Sequence, residues 1–160
     1  MAVTIRRASA DDTERLLALW LALSAEGNAA DGRYRIRSDA AASARGFISD
    51  QWLSDPDHRS LVAVAGTDVI GFMTARLAPP HPVLDSPPTA VITDAYVSPD
   101  HRRGGVGRAL FDGVIAWATR RGVGQLEVGT LARDVRAVAF WRDLGFGEWR
   151  VNLARPTVTS

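Results

Sequence analysis

The sequence contains no cysteine, and this absence removes several classes of chemistry at once. Without thiols the chain can form no disulfide, no thiolate metal site and no cysteine nucleophile, and a reducing compartment is permitted. Histidine is also scarce, because His58, His81 and His101 are the only three and stand far apart in polar or proline-rich surroundings. Transition metals need clustered ligands, so we expect no metal site.

An excess of one charge and a long apolar run are lacking as well. The 19 basic and 18 acidic residues leave a formal net charge of +1, which gives no overall attraction to nucleic acid or to an anionic membrane. No apolar run approaches the roughly 18 residues that a membrane span requires, and no apolar stretch follows the arginines near the N-terminus. We therefore expect a cytoplasmic protein that binds neither nucleic acid nor a membrane.

The length of 160 residues is typical of one domain with a single sizeable core. An apolar fraction of 46% and a charged fraction of 23% are typical of soluble globular proteins. We assign residues 1–155 to one domain and the polar residues 156–160 to a loose C-terminal tail.

Hydrophobic periodicity predicts alternating strands and helices along this domain. Alternating and β-branched runs predict strands at residues 2–7, 61–65, 69–77, 91–97, 125–131 and 146–153. Helical spacing with capping and stop residues predicts helices at residues 9–27, 39–53, 105–121 and 134–144. Five of the eight prolines fall in residues 78–88, which predicts a long loop there. This order is that of a mixed α/β domain.

Residues 91–111 carry the most informative pattern in the chain. A predicted strand is followed by a proline turn, two arginines and a helix start that holds three glycines. The residues of this segment that favour anion binding are Arg102, Arg103, Gly104, Gly105, Val106, Gly107 and Arg108. The first amides of a helix have no internal partner, and glycines let a ligand approach the backbone, so the pattern predicts a pyrophosphate site. A glycine-rich turn with solvated arginines is the alternative.

The same segment resembles the acyl-CoA signature of the GNAT superfamily of N-acetyltransferases, Arg/Gln-x-x-Gly-x-Gly/Ala. Val97, Pro99 and Leu110 also stand where that family has them. A second stretch, residues 134–146, resembles the last helix of the family, Asn-x-x-Ala-x-x-Phe/Leu-Tyr-x-x-Leu-Gly-Phe. The two motifs occur in the order of the family, whereas the glycine spacing fits neither the dinucleotide-binding fingerprint nor the Walker loop.

The resemblance implies a fold and a reaction. The fold is a mixed, mostly antiparallel central sheet of six to seven strands flanked by about four helices. The reaction is transfer of an acetyl group from acetyl-CoA to an amine on a small molecule or a protein, and a homodimer is allowed. Main-chain groups near Val97 would hold the pantetheine arm. Asp134 stands where the family has asparagine, so it is either a further cofactor contact or a plain helix N-cap.

Two carboxylates are candidates for the base that takes the proton from the amine. Asp94 is a lone acid in an otherwise apolar strand, where aspartate is disfavoured. Glu127 lies on the next strand. Some members of the resembled family have an acid at each of these positions. The residue at the family's usual tyrosine is Trp141, whose indole N–H can donate a hydrogen bond but cannot protonate a leaving thiolate.

The presence of Trp141 at the family's usual tyrosine position leaves a second class of function possible. A non-catalytic module that binds or senses acyl-CoA would need the glycine loop but no base. A nucleotide-phosphate site unrelated to CoA is a third interpretation of the same loop.

Overall fold

The computed structural model describes residues 2–158, and within this range it contains five strands and four α-helices. The strands are β1 (Val3–Arg7), β2 (His58–Ala65), β3 (Asp68–Leu77), β4 (Thr89–Val97) and β5 (Gln125–Val128). The helices are α1 (Thr13–Ala30), α2 (Ala40–Phe47), α3 (Val106–Arg120) and α4 (Val135–Asp143). A π-helical turn, Ile48–Leu53, continues α2.

The strands form one sheet in the order β1-β2-β3-β4-β5. The first four strands pair antiparallel, and β5 joins β4 in parallel. The prediction of a mixed, mostly antiparallel sheet with about four helices is therefore confirmed. The predicted number of six to seven strands is wrong, because the described residues contain five.

The missing strand is the one predicted at residues 146–153. Its apolar residues alternate as in a strand, yet Trp149 is 69% exposed and Leu153 is 91% exposed, and the segment pairs with no strand of the described chain. The neighbouring strand β5 ends at Val128 and is shorter than predicted, so it offers only four residues as a pairing edge. Alternation alone cannot make a strand where no partner edge is available.

Both faces of the sheet are covered. On one face α3 and α4 pack over a core that contains Leu110, Trp117 and Trp141. On the other face α1 and the π-helical turn, through Leu16 and Trp52, pack over Phe72 of β3. Strands β3 and β4 contribute side chains to the cores on both faces of the sheet. Their end residues are therefore held by packing from both faces.

Two predicted helix boundaries differ from the structure. Helix α1 passes through Gly27, where an end was predicted, and continues to Ala30. The amide of Asp31 donates to the Gly27 carbonyl oxygen over 2.9 Å, so the last turn is closed by the residue after the helix. The predicted helix at 39–53 is regular only to Phe47 before the π-helical turn begins. Such turns inside helices are frequent at functional sites.

No helix within residues 2–158 is long and apolar enough to cross a membrane. Of the tail predicted at residues 156–160, the last two residues lie outside the described part of the chain. The described part of that tail contains no helix or strand.

Asp12 joins the first strand to the first helix. Its carboxylate accepts hydrogen bonds from the Arg6 guanidinium over 2.7 and 2.9 Å and from the Ser9 amide over 2.8 Å. These contacts, the Arg6 bonds foremost, hold the pKa of Asp12 below its usual value. A carboxyl whose folded pKa is lowered contributes stability above its unfolded pKa, and this contribution is lost as the pH falls through the folded value.

We therefore expect Asp12→Asn to lower the free energy of unfolding at pH 7 by about 1.5 to 3 kcal/mol, the usual size for a hydrogen bond to a charged group. The loss should shrink as the pH falls below about 4, the unfolded pKa of aspartate. Urea titrations between pH 3 and 7 measure it, with Asp11→Asn at the exposed neighbouring residue as the control. An equal loss for the two variants would contradict this role for Asp12.

Candidate functional site

The site forms where β4 and β5 separate. The two strands pair from Thr89 opposite Gln125 to Ile92 opposite Val128, and there β5 ends while β4 continues to Val97. The remaining half of β4 keeps its partner β3 on one side and has no strand on the other within the described chain. A row of main-chain donors and acceptors is thus left at an open edge.

Peptide alternation shows which groups lie on this edge. The amide of Ser98 donates to the Ile70 carbonyl oxygen of β3 over 2.8 Å. Successive residues of a strand turn their peptide groups to opposite sides, so the main-chain groups of Val97 and Ala95 face away from β3. This is the open edge that the sequence analysis expected to hold an extended ligand near Val97.

A β-bulge in β4 sets the direction of the candidate base. Thr74 pairs with Asp94 and Ala75 pairs with Ile92, so Thr93 is the extra residue. Ile92 points into the core beneath α3, and the bulge lets Asp94 face the opposite side, toward α1. Bulges occur beside active sites because they redirect a side chain without breaking the sheet.

Two cavities meet at Asp94. The smaller, of about 350 Å³, lies between the diverging strands and is lined by Ala95, Gly129 and Asp134 among others. The larger, of about 630 Å³, lies between α1, α2 and the loop that joins them. Asp94 and Tyr34 line both cavities. A group held in the smaller cavity and a group held in the larger one would therefore meet at these two side chains.

The surroundings of Asp94 make its carboxylate more basic than usual. Burial raises the pKa of the Asp94 carboxyl, and the Thr93 hydroxyl and Trp20 indole N–H, which favour the charged form, offset this only in part. A base works best when its pKa lies near the working pH, so the shift is in the direction that proton abstraction needs. Asp94 is one of the two candidate bases that the sequence predicts, and this residue lies where the two cavities meet.

Glu127, the second candidate base, lies in a different environment. Its carboxylate accepts hydrogen bonds from the Arg150 guanidinium over 3.0 and 3.1 Å and from the Gln125 side-chain Nε2 over 2.9 Å. It is absent from the lining of the two cavities described above. The structure therefore joins Glu127 to the C-terminal segment rather than to Asp94.

Each of the three glycines in the loop lies in a different structural environment. Gly105 precedes α3 with φ of 81°, in the left-handed region that side chains disfavour. A Cβ on Gly107 would lie 2.9 Å from the Phe140 ring, so this glycine lets α3 pack closely on α4. A Cβ on Gly104 would meet no atom within 4 Å, so this position is open to an approaching ligand.

The three arginines of the loop also differ in their contacts. Arg102 turns inward: its Nε donates to the Val97 carbonyl oxygen and its guanidinium to Glu26, each over 2.7 Å. Arg103 and Arg108 are exposed, and neither forms an ion pair with a carboxylate in residues 2–158. Free positive charge at this loop therefore comes from Arg103 and Arg108.

Glu26 was not predicted from the sequence. Besides Arg102 it accepts a hydrogen bond from Arg136 of α4 over 2.6 Å, so one carboxylate links α1, the loop and α4. Nothing local marks this residue, because its partners lie 76 and 110 positions away. A long-range contact of this kind becomes visible only once the fold is known.

The remaining predicted site residues also take defined places. The Asp134 side chain accepts a hydrogen bond from the Ala137 amide over 3.0 Å, so it is the N-cap of α4, and it also lines the smaller cavity. Val106 is buried in the core, which leaves its backbone for any ligand contact. Trp141 lines the smaller cavity, with its ring packed against Phe146.

Comparison with known proteins agrees with this geometry. The model of the acetyltransferase (GNAT) family matches residues 24–146, which is most of the chain and includes the loop, both diverging strands and α4. The chain therefore belongs to the GNAT family of acetyltransferases.

Similar proteins differ in their acceptors. The chain is 34% identical over 91 residues to an aminoglycoside N(6')-acetyltransferase type 1 from Stenotrophomonas maltophilia, covering 55% of this chain and 58% of that protein. It is 37% identical over 59 residues to the [ribosomal protein bS18]-alanine N-acetyltransferase of Escherichia coli K12, covering 37% and 40%. The chain thus spans about half the length of the curated relatives it matches.

A solved structure with the same fold is AAC(6')-Iy in complex with the bisubstrate analogue CoA-S-monomethyl-acetylneamine. It superposes with a TM-score of 0.75 at 23% identity, covering 99% of this chain and 100% of that one. At this level of identity the likeness establishes the fold.

The raised pKa of Asp94 has a consequence for stability. A carboxyl whose folded pKa is raised binds its proton more tightly in the native state, so its ionisation costs stability above its unfolded pKa. We expect Asp94→Asn to raise the melting temperature at pH 7. The gain should vanish as the pH falls to about 4, where the unfolded carboxyl takes up its proton. Calorimetry of both proteins across this range measures the difference, and a less stable variant at pH 7 would contradict this assignment.

Proposed function

We propose that this protein is an N-acetyltransferase that moves an acetyl group from acetyl-CoA to an amine. The observation that carries the proposal is the position of Asp94. A carboxylate with a raised pKa lies where a cavity along the open edge of β4 meets a second cavity large enough for an acceptor. Acetyl transfer to an amine needs a thioester on one side of a base and an amine on the other.

The glycine loop supplies what CoA phosphates require. The first amides of α3 have no partner inside the helix, and the positive end of the helix dipole lies at the same place. Gly104 leaves space for an anion to reach these amides, and the exposed Arg103 and Arg108 side chains lie beside it without a carboxylate partner in residues 2–158. Arg108 makes one long contact, of 3.5 Å, with the Asp143 carbonyl oxygen. The pantetheine arm, which carries amides of its own, fits the open edge at Ala95 and Val97 as an added strand would.

Asp94 acts on the acceptor. An alkylamine is mostly cationic near neutral pH, and the cation has no lone pair with which to attack. Bound acetyl-CoA supplies an activated acyl carbon. Asp94 first takes one ammonium proton, directly or through one water, and this frees the lone pair that attacks the acyl carbon. As the nitrogen–carbon bond forms and the carbon–sulfur bond breaks, the nitrogen gives up a second proton to water. The electron pair of the broken bond leaves with the sulfur as a thiolate.

The departing thiolate has no tyrosine at the usual position of the family, because that residue is Trp141. A thiol with a pKa near 8.5 is acidic enough to leave without a proton donor close to neutral pH. Trp141 lines the smaller cavity and is 7% exposed, so it excludes water beside the reacting atoms.

The main competing function is a module that binds acyl-CoA without turnover. Such a module requires the loop and the open edge but gives no reason for a partly buried carboxylate between the cavities. Asp94 sits in a strand, where aspartate is disfavoured, and is partly desolvated there. Retention of an unfavourable charge at the junction of two cavities favours an enzyme.

Asp94→Asn tests the proposed base. It keeps the shape of the side chain and removes its basicity, so turnover should fall by roughly 10², a usual size for a general base. The affinity for acetyl-CoA should change little. The lost rate should return in part at high pH, where the amine loses its proton without help. Thiol release against pH measures both effects.

Glu127→Gln is the matched comparison, since it makes the same chemical change on the neighbouring strand. We expect near-normal turnover, because Glu127 is bound to Arg150 and Gln125. A silent Asp94→Asn together with an inactive Glu127→Gln would move the base to β5. Two silent variants would show that the amine is deprotonated before it binds.

Gly104→Val tests the binding loop. The added side chain meets no protein atom at its Cβ, so the melting temperature of the free protein should not change. A ligand at a hundredfold excess over its dissociation constant stabilises a protein by about 2.7 kcal/mol, and this stabilisation by CoA should be lost. Thermal shift with and without CoA measures it.

The control for this variant is Gly147→Val, which makes the same change in equally open space away from the loop. It should keep the full CoA shift. Gly107→Ala should instead destabilise the free protein, because the new Cβ displaces the Phe140 ring. Undiminished stabilisation of Gly104→Val by CoA would exclude the loop as the phosphate site.

A further inference from the structure

The larger cavity has walls that are mostly aromatic and aliphatic. Six such side chains line it: Trp20, Tyr34, Ile36, Phe47, Ile48 and Trp52. Three of them are partly open to solvent, with Tyr34 exposed at 36%, Ile36 at 41% and Phe47 at 42%. Exposed apolar side chains that converge on one cavity mark a binding site for an apolar surface.

The floor of this cavity is rigid. The π-helical turn after α2 places Ile48 and Trp52 inward, where they are 1% and 3% exposed. The Trp52 ring packs on Phe72 of β3 with 5.3 Å between centroids, and the Phe47 ring meets it edge-on at 6.0 Å. The apolar wall is therefore anchored to the main core and shaped before a ligand arrives.

The charges of the cavity are few and unequal. Asp94 is the only carboxylate among the described residues that line it. Two arginines line it as well: Arg37 pairs with Asp39 over 2.5 Å, whereas Arg35 forms no ion pair within residues 2–158. With Asp94 committed to the reacting amine, the remaining unpaired charge of the wall is the positive charge of Arg35.

We propose that the acceptor is an amine with a single cationic centre carried on an aromatic or branched apolar body. This inference rests on the proposed acetyltransferase function and specifies its substrate class. An aminoglycoside brings several ammonium groups, and each one beyond the first would lie against apolar rings or Arg35 without a carboxylate to pair with. The acceptor class of the aminoglycoside-modifying relative is thus disfavoured here.

The expected preference has a definite size. Burying one aromatic ring corresponds to a factor of about 10 to 200 in kcat/KM. The kcat/KM for 2-phenylethylamine should therefore exceed that for putrescine and that for tobramycin by at least about tenfold. Release of free thiol from acetyl-CoA measures the rate. The chain contains no lysine, so acetylation of its own side-chain amines adds no background.

Two variants test the walls separately. Phe47→Ala should lower kcat/KM for 2-phenylethylamine about tenfold and leave putrescine nearly unchanged. Ile115→Ala is the control, since Ile115 is 40% exposed on α3, away from the cavity lining. Arg35→Glu should raise kcat/KM for putrescine relative to 2-phenylethylamine, because it replaces the unpaired cation with a partner for the second ammonium.

The outcomes separate this inference from the function on which it rests. A higher kcat/KM for tobramycin or putrescine would overturn the proposed acceptor class but would still support the acetyltransferase function. If no amine releases thiol, the function fails, and the cavity is then tested directly by quenching of tryptophan fluorescence. Saturable quenching by 2-phenylethylamine at concentrations where putrescine has no effect, abolished in Phe47→Ala, would still support the apolar site. Equal quenching by both amines would overturn it.

Discussion

The divergence of β4 from β5 after Ile92 and Val128 is the constraint on which the rest of the site depends. Because β5 ends there, half of β4 keeps one hydrogen-bonded neighbour instead of two. The main-chain groups of Ala95 and the amide of Val97 stay available, while the Val97 carbonyl oxygen accepts from Arg102. The same gap forms the smaller cavity. The bulge at Thr93 is a second irregularity, between β3 and β4, and it turns Asp94 toward the second cavity. Together the two changes in strand pairing place the proposed ligand edge beside the proposed base.

The parts of this site that the sequence predicted are those encoded locally. The strand, proline turn and glycine-rich helix start lie within about twenty residues, and Asp94 stands out because an acid is unusual in a strand. The links between distant elements were not predictable. Glu26 meets Arg102 and Arg136 only because the fold brings three elements together. Residues 146–153 alternate like a strand, but the short β5 gives that pattern no edge to pair with.

Several features of the site are unfavourable when each is considered alone. A carboxylate is partly desolvated, a strand edge is unpaired, and large apolar side chains at Ile36 and Phe47 are left exposed. They persist because the centre of the sheet is well paired and both of its faces are packed, with Phe72 and Leu110 fully buried. These three features lie around the two cavities, where a ligand can complete the missing contacts, as expected of a functional site.

Because Arg102 turns inward, one of the three arginines of the loop has a structural role and the other two remain exposed to solvent. Its guanidinium lies over the Tyr96 ring and is occupied by Val97 and Glu26, so it fixes the path of the chain between β4 and α3. A polyanion arriving from solvent meets the exposed Arg103 and Arg108. Exposed charges are screened beyond a Debye length of about 8 Å at physiological ionic strength. Added salt will therefore weaken the long-range attraction that Arg103 and Arg108 exert on an anion. The chain path that Arg102 fixes will not change with salt.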